Sequence, residues 1–192
     1  EHAVEHKVAM AERSQLEYFR KIAASATDGS TACALQRPAP SGCVFHMRLG
    51  EVFTDISPNR TAAQLWHGRN AAGDAYRESF GERYIQTRAY FERALRRLPN
   101  GTTHAIVVGN EKSLLTFASD APSAKHRKIA AAYMRLFLDW LGQTGLRIER
   151  RAGSRLSGYH GADCDYLYMA QSHCFVVSGG SFGRSISQVV QA

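Results

Sequence analysis

Four short apolar runs, separated by stretches of helical periodicity, constrain this chain more than any other feature of its sequence. They are CVFHMRLG at 43–50, HAIVVGN at 104–110, LRIER at 146–150 and CFVVSGG at 174–180. Runs this short and this rich in Val, Ile and Phe, closed by Gly or polar residues, read as buried strands rather than helices. The intervals carry the other period. Phe91, Leu95 and Leu98 share a face and predict a helix over 83–98 that Pro99-Asn100-Gly101 stops. Ile129, Tyr133, Leu136, Phe137 and Trp140 mark a helix over 122–141, ended by Gly142–Gly145. Shorter helices are expected at about 61–66, 111–119, 163–172 and 184–190. Alternation of this kind is the signature of an α/β fold: a Rossmann-like parallel sheet of at least four strands (43–48, 104–108, 146–150, 174–178) with helices on both faces.

Ahead of the first strand, Val4, Val8, Ala11, Tyr18 and Ile22 recur at helical spacing and predict an amphipathic helix over 3–24. A Ser-, Thr-, Gly- and Pro-containing stretch from Ser25 to Gly42 follows as loop. The chain therefore divides into an N-terminal helix and linker, 1–42, and a Rossmann-like domain, 43–192.

With 24 basic and 17 acidic residues the net charge is +7, which points to an anionic partner. The basic residues are dispersed. The densest groups, Arg93/Arg96/Arg97 and Arg147/Arg150/Arg151/Arg155, are not interleaved with aromatics as single-strand binders are, so a phosphorylated small molecule is expected and nucleic acid is not. No run approaches the ~20 apolar residues that span a bilayer, and the opening EHAVEHK is not a signal peptide. Any membrane attachment or targeting would come from a segment outside this chain. Cys33, Cys43, Cys164 and Cys174 fit no zinc spacing. They read either as buried small hydrophobes or as one or two disulfides in an oxidising compartment. The sequons Asn59-Arg-Thr61 and Asn100-Gly-Thr102 fit a secretory lumen, although nothing in the composition rules out the cytoplasm.

In open parallel sheets ligands bind outside the carboxyl ends of the strands, and two exits carry chemistry. After the fourth run, Ser178-Gly179-Gly180-Ser181 would let backbone approach a ligand, and the helix after it would present unpaired N–H groups and a positive dipole end. That makes a phosphate cradle; the alternative is a tight turn needing positive φ. After the first run stands Arg48, whose planar fork suits a diphosphate; the alternative is a structural pair with Glu51. The two exits become neighbours if the strand order reverses between them.

These residues bear a resemblance. HMRLGE, 46–51, resembles the H-x-R-x-G/T-D signature of the fucosyltransferase superfamily of GT-B glycosyltransferases. DYLYMAQSHCFVVSGGSFGRSI, 165–186, resembles that superfamily's closing motif of helix, apolar strand, Ser/Gly-rich turn and final helix. The likeness covers about 43–192. It implies an inverting, metal-independent transferase half that binds a nucleoside diphosphate sugar such as GDP-fucose and serves a glycan or glycoprotein acceptor in the Golgi lumen. It implies that His46 and Arg48 face the nucleotide, with Arg48 on the β-phosphate. Asp165 would accept from the guanine amine, and Ser178, Gly179, Gly180, Ser181 and Phe182 would line the pyrophosphate. Glu51 and Asp55 are the nearest candidates to take the acceptor's proton. Leu49, Glu51 and Gly183 depart from the usual Arg, Asp and Ser, which leaves the sugar open. Forty-two residues hold no second Rossmann-like domain, so one half of a GT-B enzyme is expected. The alternative is a non-catalytic sugar- or protein-recognition domain of the same fold.

Other signals are weaker. Asp163-Cys-Asp165 spells the metal-binding D-x-D, but SGYHGA rather than an apolar strand precedes it, so it reads as the acidic start of a helix. His2 and His6 lie one turn apart on a solvated helix. No metal or other cofactor is expected.

Overall fold

The computed structural model describes residues 37–49, 51–57, 59–69, 84–109, 124–151, 159–178 and 180–190, together with Glu17. The fold is α/β. Strands β1 (Gly42–His46), β2 (His104–Val108), β3 (Arg147–Arg151) and β4 (Phe175–Val176) form one sheet in the order β3-β2-β1-β4. Every pairing is parallel. Around it lie α1 (Ala62–His67), α2 (Arg88–Leu95), α3 (Ala124–Gly142), α4 (Tyr159–Ala170) and α5 (Gly180–Val190), with a 3-10 turn at Glu51–Phe53.

Side chains on a strand alternate between faces, and in β1 both sets are apolar because both faces are covered. Cys43, Phe45 and Met47 join Ala105 and Val107 in a core closed by α1, α2 and α3. Val44 joins Ile106 and Val108 in a second core closed by Tyr166, Tyr168 and Met169 of α4 and Ile186 of α5. The first core is aromatic. Trp66 stacks on Phe91 with ring centroids 6.0 Å apart and meets Tyr133, Phe137 and Trp140 edge-on. At the sheet edge, β3 exposes Arg147, Glu149 and Arg150, charges that deter a further strand from pairing.

Several boundaries differ from expectation. The helix expected over 83–98 starts at Arg88, because Thr87 caps it by accepting from the Tyr90 amide. That leaves Ile85–Thr87 as non-helical chain after a 3-10 residue at Tyr84. Thr61 and Gln64 form a capping box that starts α1. The helix expected over 163–172 begins at Tyr159, so Asp163 and Asp165 lie inside it rather than opening it. The last helix starts at Gly180, four residues before the expected start. The β4 ladder covers only Phe175 and Val176, since side chains, and not β1, engage the carbonyls of Val177 and Ser178. The helix expected over 111–119 lies outside the described residues, as does that over 3–24 apart from Glu17, which is helical. Among the described residues no helix is long and apolar enough to cross a membrane.

The two readings of the cysteines are now separated. Cys43 and Cys174 form a disulfide with sulfurs 2.07 Å apart, and Cys164 is disulfide-bonded as well. The Cys43–Cys174 bond continues the β1–β4 register backwards by one position from Val44↔Phe175, and the Val44 amide donates to the Cys174 carbonyl at 2.9 Å.

Two predictions follow from this packing. The cysteines are separated by 131 residues, and a cross-link closing a loop that long removes about 5 kcal/mol of chain entropy from the unfolded state. Cys43→Ala/Cys174→Ala should therefore lose several kcal/mol in denaturant unfolding; a loss under about 1 kcal/mol would show that the bond is incidental to folding. The second concerns alkaline pH. Burial, only partly offset by a hydrogen bond from the Ser185 side chain, pushes the Tyr166 hydroxyl up to about 12. The unfolded chain would ionise first, near 10. Stability that is complete below pH 10 should thus decline between pH 10 and 12, and Tyr166→Phe should flatten that decline by about 1 kcal/mol at pH 11. Paired unfolding curves at pH 9 and pH 11 measure it.

Candidate functional site

The chain lays down β1, β2 and β3 in one direction and then returns, placing β4 on the other side of β1. The order reverses between β1 and β4, and the two exits rich in ligand-binding chemistry leave these neighbouring strands. A crevice at the carboxyl end of such a reversal is where open α/β sheets bind ligands.

On the β1 side, Met47 keeps the strand pattern, donating its amide to the Val108 carbonyl at 2.8 Å and burying its side chain. The following turn of β2 presses on it: a Cβ at Gly109 would stand 2.5 Å from the Met47 carbonyl oxygen. Alternation then sends His46 and Arg48 to the other face. His46 is buried, its ring stacked on Phe175 at 6.3 Å, with Nδ1 3.5 Å from the Ser178 hydroxyl. The Arg48 amide donates to that same hydroxyl at 2.8 Å. Its guanidinium lies 5.0 Å over the Tyr84 ring centroid, a contact that favours the cation.

On the β4 side, Ser178 is 3% exposed and bridges the strands: its Oγ serves β1, while its carbonyl accepts from Gln86 Nε2 at 3.1 Å. The Tyr90 hydroxyl donates to the Val177 carbonyl, and the Tyr133 hydroxyl of α3 donates to the Gln86 carbonyl. Burial raises the Tyr90 phenol above its usual range, with nearby Arg93 pulling the other way. Helix α5 starts at Gly180, which puts Ser181 and Phe182 in its first turn, where backbone N–H groups lack helical partners and the dipole end is positive. A Cβ at Gly183 would be 2.4 Å from Val177 Cγ2 and 3.4 Å from His46 Nδ1. The glycine at this position, one of the departures from the fucosyltransferase pattern, is what lets α5 close on β4.

Of the residues singled out from sequence, His46, Arg48 and Ser178 are thus brought together, and α5 starts two residues after Ser178. Gly179 and the side chains of Glu51, Ser181 and Phe182 lie outside the described residues. Asp55 is exposed, in the turn after Glu51–Phe53. Asp165 is not part of the β1–β4 crevice. It lies on α4 against the end of β3, with Oδ1 3.5 Å from Arg151 Nε, and the Arg151 guanidinium covers the Tyr168 ring at 3.9 Å. Since β3 is two strands from β1, about 10 Å separate the two positions across the sheet. The D-x-D stretch, inside a helix, has its two acids at a spacing that does not share a face.

Tyr84, Gln86, Tyr90 and Tyr133 were not foreseen as site residues. Gln86 and Tyr84 fall in a stretch with helical periodicity, and the one local signal against helix there was Thr87, a favoured cap three residues before Tyr90. Comparison with protein-family models, curated proteins and solved structures finds no match.

The closeness of Gly183 to β4 yields a direct test. Val177 is β-branched and stiff at χ1, so a methyl placed 2.4 Å from it cannot be absorbed by a rotamer change. Gly183→Ala should cost about 1–3 kcal/mol in unfolding experiments despite its better helix propensity. Unchanged or improved stability would mean that α5 does not pack against β4 at this point.

Proposed function

We propose that this chain is the donor-binding domain of a glycosyltransferase of the fucosyltransferase type, taking a nucleoside diphosphate sugar, GDP-linked, without a metal. The observation that carries the reading is the joining of Arg48 and Ser178 by a 2.8 Å hydrogen bond at the β1–β4 reversal, immediately before a helix N-terminus. An arginine and the positive end of a helix at one strand exit match a diphosphate in charge and geometry. The disulfide between Cys43 and Cys174 supports folding in an oxidising compartment such as the secretory lumen.

In this reading the acceptor hydroxyl attacks the anomeric carbon as the bond to the β-phosphate oxygen breaks. Negative charge grows on the leaving diphosphate, where the Arg48 guanidinium and the first-turn amides of α5 stabilise it. The acceptor's proton passes to a carboxylate; Asp55, exposed after the 3-10 turn, and Glu51 are the candidates nearest in sequence to Arg48. His46, buried between Phe175 and α5, shapes the nucleotide side of the crevice. Asp165 reads the base, extending the ligand from the β1–β4 crevice across β2 towards β3, with Arg151 orienting the carboxylate.

Calorimetry on two variants tests the assignment. Arg48→Ala should weaken GDP by about 2–3 kcal/mol, the loss of a charge-assisted contact, and guanosine far less. Asp165→Ala should blur GDP against ADP while retaining pyrophosphate affinity. Binding of GDP should also survive EDTA. A parent protein that gives no thermal shift with GDP, UDP, CMP or ADP at concentrations where a bound ligand contributes about 2.7 kcal/mol would leave the recognition-domain alternative standing. Loss of binding on chelation, restored by Mn²⁺, would overturn the metal-free mechanism.

A further inference from the structure

One stretch of chain touches both lips of the crevice. Tyr84 lies under the Arg48 guanidinium at 5.0 Å. Two residues on, Gln86 donates to the Ser178 carbonyl at 3.1 Å. Four further on, Tyr90 donates to the Val177 carbonyl. The stretch is itself tied down: Tyr133 of α3 donates to the Gln86 carbonyl, and Thr87 caps α2 just behind it. Tyr133 is 2% exposed, so this anchor is part of the core.

Consecutive carbonyls at the end of β4 are acceptors, and acceptors beside an anion repel it. Two side-chain donors reach these carbonyls from the same segment, while the third residue of the set carries the crevice's cation. We infer that Tyr84–Tyr90 is a positioning strap, with Gln86 its central residue, that holds the acceptors of the β4 exit engaged and sets Arg48 above them, so that the crevice offers donors to a diphosphate. The inference rests on the proposed donor-binding reading for its ligand, although not for the strap's effect on the two exits.

The test has a ligand-free arm and a ligand arm, using Gln86→Leu, which keeps the shape and removes the amide, and Tyr90→Phe, which keeps the ring and removes the donor. In the ligand-free arm, amide exchange is followed at Arg48, whose N–H is held by Ser178, and at Ile106 in the middle of β2 as a measure of global opening. The strap predicts that Arg48 exchanges by a local opening, faster than Ile106 in the parent, and about tenfold faster again in each variant, the loss of roughly one hydrogen bond, while Ile106 speeds only as far as global stability falls. In the ligand arm, inorganic pyrophosphate should bind each variant about tenfold more weakly than the parent, with guanosine unaffected. Exchange at Arg48 that does not change, or that matches Ile106 in rate in parent and variants alike, overturns the inference, as does equal pyrophosphate affinity in parent and variants. Locally faster exchange in a protein whose parent binds neither pyrophosphate nor GDP supports the strap and sinks the donor-binding reading.

Discussion

A two-residue ladder cannot by itself hold an edge strand, yet the whole candidate site depends on where β4 lies. Among the described residues, Phe175 and Val176 are the only ones of β4 that pair with β1. What seats the strand is a set of bonds at its two ends. Upstream, the Cys43–Cys174 disulfide and the Val44 amide lock the register. Downstream, the Ser178 hydroxyl takes the Arg48 amide while Gln86 and Tyr90 take the carbonyls. Parallel pairing between distant segments carries a large closure entropy, and a covalent link between strand starts lowers it before any ligand arrives.

The seating of β4 also explains the shape of the helical layer above it. Helix α5 begins at Gly180 and bears on β4 through Gly183, where no side chain fits between backbone and Val177. His46 is caught in the same contact, stacked on Phe175 and close to Ser178. One region thus gathers a buried imidazole, a half-exposed arginine and a helix N-terminus, each placed by packing that extends into one of the two cores. The other charged group of interest, Asp165 with Arg151, stands apart on the β3 side, so any ligand engaging both would lie along the carboxyl edge of the sheet.

The fold class was legible in the sequence because strands and helices here have clean periods. β1 and β2 are nearly all apolar, as doubly covered strands must be, and the stripe from Ile129 to Trp140 names the buried face of α3. Boundaries were less legible for identifiable reasons. Helical periodicity ran through Tyr84–Gln86, but Thr87 caps the start of α2 and leaves Ile85 and Gln86 ahead of it, beside the β4 exit. Val177 and Ser178 continue an apolar strand pattern, yet side chains from α2 and its approach, 87 or more residues away in sequence, took the carbonyls that β1 would have paired.

The sequence by itself determined the α/β alternation, the identity of the strands and the two exits at Arg48 and Ser178, because these follow from local periodicity and from residue chemistry at strand ends. Only the tertiary structure decided that the exits adjoin. Strand order depends on which distant segments pair, and no local pattern encodes that β4 returns to lie beside β1 instead of extending the sheet past β3. The same holds for Cys43 with Cys174, one of several pairings four cysteines allow, and for Asp165, whose place in α4 sets it beside Arg151 at the end of β3. Local pattern sets what each segment becomes; long-range closure, stapled by a disulfide and a serine hydroxyl, sets which segments meet.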